Sequence, residues 1–378
     1  MQKHPLPIFR SVWSSRLIRY GLGTLISLLA LYLALRDVDF GAVAGAIRAA
    51  DYRWVGLALA SVAVNQLGRA FRWRVLLGAG ASAARPQVEL GTGVTHNDFS
   101  FFDLLAALLS GQLLNTVYPA RVGDLSRAYV IGGKGPGRVF TLGTVLLEKL
   151  LDTLAYGGLF LVMLFSLPLP AWVGGSVTTF ALATVLVTLV AVILAYRPQG
   201  LLGLAGKLLA RFPGRAARFV HSHLEDGIAS LRTLRSRSAL ARALFWTLLI
   251  WVTAVLNNVL ILRALGLRLP WMAPIFVLVV LQIGISLPST PGSLGIFEYA
   301  CVLALSLFSV SSAGALSFGF VLHAVVFLPV VVFGFLSFLY LGVNVEKVTE
   351  SGQTADERGK TQKESPLREN SCPPFEGG

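Results

Sequence analysis

Long runs of apolar residues alternate along the chain with short polar connections. A helix that crosses a bilayer needs about 20 predominantly apolar residues. Eight segments reach or approach that length, at residues 17–35, 54–77, 139–167, 176–196, 243–265, 271–287, 296–310 and 316–343, the seventh being short. The pattern predicts an all-α, polytopic membrane protein of about eight transmembrane helices.

Two stretches interrupt the pattern with proline, glycine and polar residues inside apolar surroundings. They are Asn115-Thr-Val-Tyr-Pro119-Ala-Arg121-Val-Gly123-Asp124-Leu-Ser-Arg127 and Ser286-Leu-Pro288-Ser289-Thr290-Pro291-Gly292-Ser293-Leu-Gly295-Ile-Phe-Glu298. Lipid offers no hydrogen bonds to a broken backbone, so such a break at membrane depth is buried in protein or lines a water-filled cavity. Paired breaks in two halves of a chain point to a transporter's binding site. The apolar arms around the first break, within 104–130, are each too short to cross alone, and they are read as a re-entrant hairpin entering from the cytoplasm. The arms within 275–307 are read the same way, more loosely. Pro119-x-x-x-Gly123 and Pro288-x-x-x-Gly292 are each followed by an acidic residue and a tyrosine, which suggests a remote internal repeat.

Composition strengthens the membrane reading: 55% of the 378 residues are hydrophobic and 13% charged, with a mean hydropathy of +0.70, far from an ordinary soluble domain. The net charge of +13 would suit nucleic acid, but its placement does not. Residues 197–242 carry nine lysines and arginines against Glu225 and Asp226, which marks a cytoplasmic connection and, with Leu201, Leu204 and Leu208 at near-helical spacing, a surface for anionic lipid. Lys3, Arg10, Arg16 and Arg19 orient the N-terminus likewise. Both termini are expected in the cytoplasm and the protein in the inner membrane, with Arg263 and Arg268 as the discordant outer pair. Three regions result: an interfacial segment 1–16, a transmembrane domain 17–343, and a polar tail 344–378 expected to be disordered. The first apolar stretch lacks a small-residue cleavage site and is read as a retained helix. Cys301 and Cys372 are too far apart in the expected topology to pair.

Charged residues inside the apolar segments are the candidates for function. Asn65, Arg69 and Arg72 fall on one helical face. Glu148 and Asp152 lie one turn apart and need cationic partners or protons, with Arg69, Arg72 and Arg127 available. In the first break Arg121 and Arg127 flank Asp124. A helix starting near Gly123 would aim free N–H groups at a cavity where a phosphate also meets an arginine fork, and Asn115 sits at its edge. The plainer reading has Asp124 capping that helix and pairing with Arg127. In the second break Ser289 and Thr290 offer hydroxyls beside Gly292 and Ser293, and Glu298 follows, to satisfy local donors or to balance an arginine of the first half as a further member of the charge network. Asn257, Asn258 and Gln282 are read as interhelical hydrogen-bonding groups, and His323 as a packed polar contact. His221 and His223 alternate on a helix and do not share a face, so no metal site is expected. Lys134 in Gly132-Gly133-Lys134-Gly135 does not complete a phosphate-binding loop. No cofactor is expected.

Arg69-Ala-Phe-Arg72-Trp73, the Pro119 to Arg127 segment, Glu148-Lys149-Leu-Leu-Asp152 and the Pro288 to Glu298 segment occur in an order and spacing that resemble the lysylphosphatidylglycerol synthase transmembrane-region, or flippase-like, family, over roughly residues 15–343. Three positions depart from its usual pattern: Asp124 stands for Glu, Lys149 for Arg and Ser293 for Gly. The resemblance implies a helical domain that moves polar lipids between leaflets, fused in some members to a cytosolic aminoacyl transferase. After residue 343 only a polar tail follows, so this chain is read as a stand-alone member without that enzyme activity. The expected function is a lipid flippase or transporter for a phospholipid, hopanoid or polyprenyl-phosphate-linked lipid. Arg121 and Arg127 would hold the phosphate, and Arg69, Arg72, Glu148, Asp152 and Glu298 would form the cavity's charge network. An integral-membrane transferase using Glu148 or Asp152 as base, and a non-transporting partner of a lipid or glycan synthase, stand as alternatives. A homo-oligomer or a lipid-biosynthetic enzyme is the expected protein partner.

Overall fold

Glycine and small polar residues seat two of the longest helices closely against each other, and the rest of the fold is arranged around that pair. A computed structural model describes residues 24–36, 38–84, 100–118, 122–134, 137–166, 186, 230, 235–286 and 290–363. Its helices are α1 (Thr24–Leu35), α2 (Phe40–Arg48), α3 (Tyr52–Ala84), α4 (Phe101–Val117), α5 (Val122–Gly132), α6 (Arg138–Ser166), α7 (Arg237–Ala264), α8 (Met272–Ser286), α9 (Ile296–Ser306) and α10 (Ser312–Lys363), with a 3₁₀ turn at Pro291–Ser293. The regular elements among the described residues are all helical. The α3–α7 contact is the most extensive. A Cβ on Gly68 would already touch Ile250 at 3.4 Å, and Ser61 and Asn65 of α3 donate to the carbonyls of Thr253 and Ile250 at 3.0 and 2.7 Å.

One apolar cluster joins α3, α6, α7, α8, α9 and α10 through buried residues such as Met163, Ile261, Val277, Ala304 and Phe318. A second joins α3 to α4, α5 and α6 through Trp73, Leu104, Ile131 and Phe140. Large apolar side chains also face outward, including Leu244, Phe245, Leu248 and Val252 on α7 and Phe333, Leu336 and Leu339 on α10. α7 and the 312–342 part of α10 are long and apolar enough to cross a membrane, and such faces suit lipid tails as solvent. α3 and α6 match expected spans in length while carrying charges inward.

Most apolar runs become helices close to their expected limits. The polar connection at 36–53, between the first two expected spans, contains α2, started by Asp39, whose Oδ1 accepts from Gly41 N at 2.8 Å; Val43 buries against Ala34 and Leu316. α10 is helical through Lys363, past the expected end of the transmembrane domain at residue 343. The expected span at 176–196 and most of the basic 197–242 segment lie outside the described residues.

Candidate functional site

The face of α3 predicted from the 4-and-3 spacing turns toward α6 and α7. Arg72 is fully buried. It grips Asp152 with two hydrogen bonds of 2.6 and 3.1 Å, reaches Thr247 at 3.2 Å, and stands 3.4 Å from Glu148. Trp251 donates to Asp152 at 3.4 Å. Arg127, from α5, approaches the other side of Glu148 at 3.1 Å, lies 3.2 Å from Asp124, and rests over the Trp73 ring. Lys149 reaches Asp124 at 3.4 Å. Arg72, Arg127, Lys149, Asp124, Glu148 and Asp152 thus form one continuous network. It is not fully satisfied. The Nε–H groups of Arg72 and Arg127 are buried without acceptors, and the Arg127–Glu148 contact lacks the alignment of a hydrogen bond.

The first break forms a tight hairpin of α4 and α5. At 17 and 11 residues these helices are about 25 and 16 Å long, and the second is too short to span alone. Their backbones meet where Gly111 faces Gly123: a Cβ on Gly123 would fall on the Gly111 carbonyl. Gly123 does not turn a free N–H toward a ligand, as its position suggested. Asn115 Oδ1 accepts that N–H at 2.8 Å, while Asn115 Nδ2 donates to Asp124 at 3.3 Å. The asparagine seals the helix start and fixes Asp124 beside Arg127. Arg121 lies outside the described residues.

Between this hairpin and α3, α6, α7, α8 and α10 lies a cavity of about 300 Å³. Arg69, Asn115, Asp124, Arg127, Glu148 and Lys149 line one part of it; Leu278, Leu281, Ile285, Phe297, Leu322 and Val330 line another. Arg69 differs from its two neighbouring arginines. Its Nε donates to Asn65 at 2.9 Å, and its terminal nitrogens meet no carboxylate among the described residues, so they remain available to a ligand. Counting Arg69, this end holds four cations against three carboxylates, an excess of one positive charge.

The second break is closed. Glu298 Oε2 accepts from Gly295 N at 2.6 Å, and Oε1 lies 2.6 Å from His323 Nδ1. The imidazole is stacked on Phe297 and edge-on to Phe327. Glu298 is 2% exposed and is spent on the α9 start and His323, not on an arginine of the first half. Thr290 accepts nothing from the cavity: its N–H donates to Ser27 at 2.9 Å and its hydroxyl to Leu294 O at 3.2 Å. Gly292, with φ of 75°, packs under Phe327, and Ser293 shares the positive φ. None of these three lines the cavity. Ser289 lies outside the described residues.

Several cavity residues were not singled out as site residues from the sequence. Gln66 and Gln112 exchange an amide hydrogen bond of 2.9 Å across α3 and α4. Lys149 and Trp251 join the charge network, and Asn257 and Gln282 also line the cavity. The signal available was polarity within apolar helices, and that alone does not separate a cavity wall from an interhelical contact.

Residues 21–334 match the family described as the lysylphosphatidylglycerol synthase TM region. The chain is also 28% identical over 372 residues to a protein named glycosyltransferase AglD from Haloferax volcanii, a match that covers 88% of this chain and 56% of that one. The chain therefore spans little more than half the length of that relative.

Proposed function

The chain belongs to the lysylphosphatidylglycerol synthase TM region family, and from that premise we propose that it is a flippase for a polar or anionic lipid in the cell's inner membrane. The observation that carries the reading is a single cavity lined both by the cationic network and by apolar side chains of α8, α9 and α10. A charged headgroup is costly to move through hydrocarbon. Here Arg69 and Lys149 would engage its phosphate, Arg69 with unspent guanidinium donors suited to a bidentate contact. Arg72, Arg127, Glu148, Asp152 and Asp124 would hold the surrounding field fixed. The lipid tails would leave the cavity along its aliphatic side and stay in the bilayer. Arg121, on the link between α4 and α5, is a further phosphate ligand in this scheme. No nucleotide-binding motif is in the sequence, so a gradient or downhill lipid flow is the proposed driving force.

The test is leaflet accessibility in proteoliposomes, with a headgroup-labelled anionic phospholipid compared with a polyprenyl phosphate. Wild type should speed exchange of one of them, and Arg69→Gln should cut that rate at least about tenfold while thermal stability holds. Arg121→Ala should impair exchange with folding intact. Wild-type exchange no faster than empty vesicles for either lipid would overturn the flippase reading.

A second reading, an integral-membrane transferase, draws support from the name of the Haloferax volcanii relative, a glycosyltransferase. The carboxylates weigh against it. Asp152 is held bidentately by Arg72, and Glu148 sits between two guanidiniums, so neither is a ready general base. Turnover of a lipid-linked sugar donor by the purified protein would reverse that preference.

A further inference from the structure

Adjacent residues Asn257 and Asn258 on α7 are both buried, at 4% and 2% exposure, yet only one is satisfied. Asn258, which also lines the cavity, donates to Pro274 O at 2.9 Å and ties α7 to α8. Asn257 lines the cavity and its Oδ1 has no hydrogen-bond partner. A buried amide oxygen left unpaired is destabilising, and α7 carries this one while apolar residues of the same size fill neighbouring positions. The wall it stands on is continuous with the cationic end. One turn before it, Thr253 accepts from Asn65 Nδ2 at 2.9 Å, and Asn65 in turn holds Arg69. Asn257 is thus about 6 Å further along α7 than Thr253, on the side away from Arg69.

We propose that Asn257 is the specificity-determining contact for a hydroxyl on the headgroup of a lipid phosphate ester, a glycerol, polyol or sugar, whose phosphate sits at Arg69 and Lys149. This rests on the reading that the cavity holds a lipid headgroup. Two observations select a hydroxyl over an ammonium. The excess of one positive charge at the network disfavours a cationic headgroup close by. A hydroxyl also both donates and accepts, so it is matched by a carboxamide turned either way, whereas an ammonium only donates.

The test is equilibrium binding to the full-length protein in detergent, by calorimetry, with dihexanoyl phosphatidylglycerol, dihexanoyl phosphatidic acid, dihexanoyl phosphatidylethanolamine and glycerol 3-phosphate as probes. Wild type should bind the phosphatidylglycerol about tenfold more tightly than the other two lipids, as one hydrogen bond to a previously unpaired buried group allows. Asn257→Leu should erase that preference, leave phosphatidic acid binding unchanged, and leave the Tm unchanged or raised, since an unpaired polar group is replaced by an apolar one. Asn258→Leu should lower the Tm and keep the preference. A wild type without the preference would overturn the proposal, and so would an Asn257→Leu protein that keeps it. So would loss of folding in both Asn257→Leu and Asn257→Ala, which would make the amide structural. Glycerol 3-phosphate binding as tightly as the lipid would assign a soluble ester as ligand and overturn the lipid source. Because binding is read without transport, these results stand apart from the liposome assay: a preference lost in Asn257→Leu with no lipid exchange would sink the flippase reading alone.

Discussion

The two breaks in the helical pattern look alike in sequence and do different work in the structure. Each has a proline, a glycine four residues on, and an acidic residue soon after. In the first, the acid Asp124 is shared among Arg127, Lys149 and Asn115 at the wall of a cavity. In the second, the acid Glu298 closes on its own helix start and on His323, and the residues before it pack against α1 and Phe327. The difference lies in what surrounds each acid. Three guanidiniums, Arg69 included, and an ammonium around three carboxylates leave a network that still presents charge to a ligand. A single histidine with one backbone N–H consumes its carboxylate completely. A proline and glycine break inside apolar sequence therefore marks a place where the chain leaves regular helix, while the cations on neighbouring helices decide whether that place faces a ligand.

The sharpest way to break this contrast is to remove the cation at the centre of the first network. Arg72→Met leaves the buried Glu148 and the partly buried Asp152 without their shared partner. The expected loss is about 3–5 kcal/mol, read as a fall in Tm of the detergent-purified protein, and as failure to accumulate if the margin is small. An unchanged Tm would mean that the carboxylates are neutral or hydrated and that no coupled network exists. The corresponding change in the second break should be milder. Glu298→Ala removes a cap and a histidine contact, for an expected loss of about 1–3 kcal/mol, and lipid exchange per folded molecule should match wild type. Exchange lost in a folded Glu298→Ala protein would bring the second break back into the site and erase the distinction.

How much of this was legible in the chain follows from the range of the forces involved. Apolar run lengths anticipated α3, α6, α7, α8 and α10 because helix formation in an apolar environment is a local matter. Helical spacing put Arg69 and Arg72 on one face and Glu148 and Asp152 on another, and charge balance named Arg72 and Arg127 among the partners the carboxylates needed. Which arginine met which acid was not legible, since it depends on how α3, α5 and α6 cross. For the same reason the choice for Glu298 between local donors and an arginine of the first half stayed open in the sequence: His323, read as a packed polar contact, is 25 residues away. α2 escaped because nine residues are too few for a membrane-length search, although Asp39 ahead of an apolar stretch is an ordinary helix-start signal. The contrast between Asn257 and Asn258 had no sequence signal at all. Adjacent residues on a helix point about 100° apart, and only the placement of α8 separates the bonded amide from the open one.

The smallest expected effect on stability is the one that most sharpens the distinction between holding the fold and holding a ligand. Lys149 is 36% exposed at its side chain and meets Asp124 at 3.4 Å. A solvent-accessible pair of this kind contributes little, so Lys149→Gln should change stability by no more than about 0.5 kcal/mol. Asp124 keeps Arg127 and Asn115 as partners in the variant, so no buried charge is stranded. The same substitution removes the excess positive charge from the cavity end. In the proposed flippase, exchange of an anionic lipid should then fall several-fold, and the fall should shrink at high salt, where screening weakens an exposed charge in the wild type as well. A zwitterionic lipid carried at any measurable rate should be affected less. If Lys149→Gln slows both lipids equally, the cavity's charge surplus has no part in choosing the headgroup, and the difference between the two breaks reduces to one of packing.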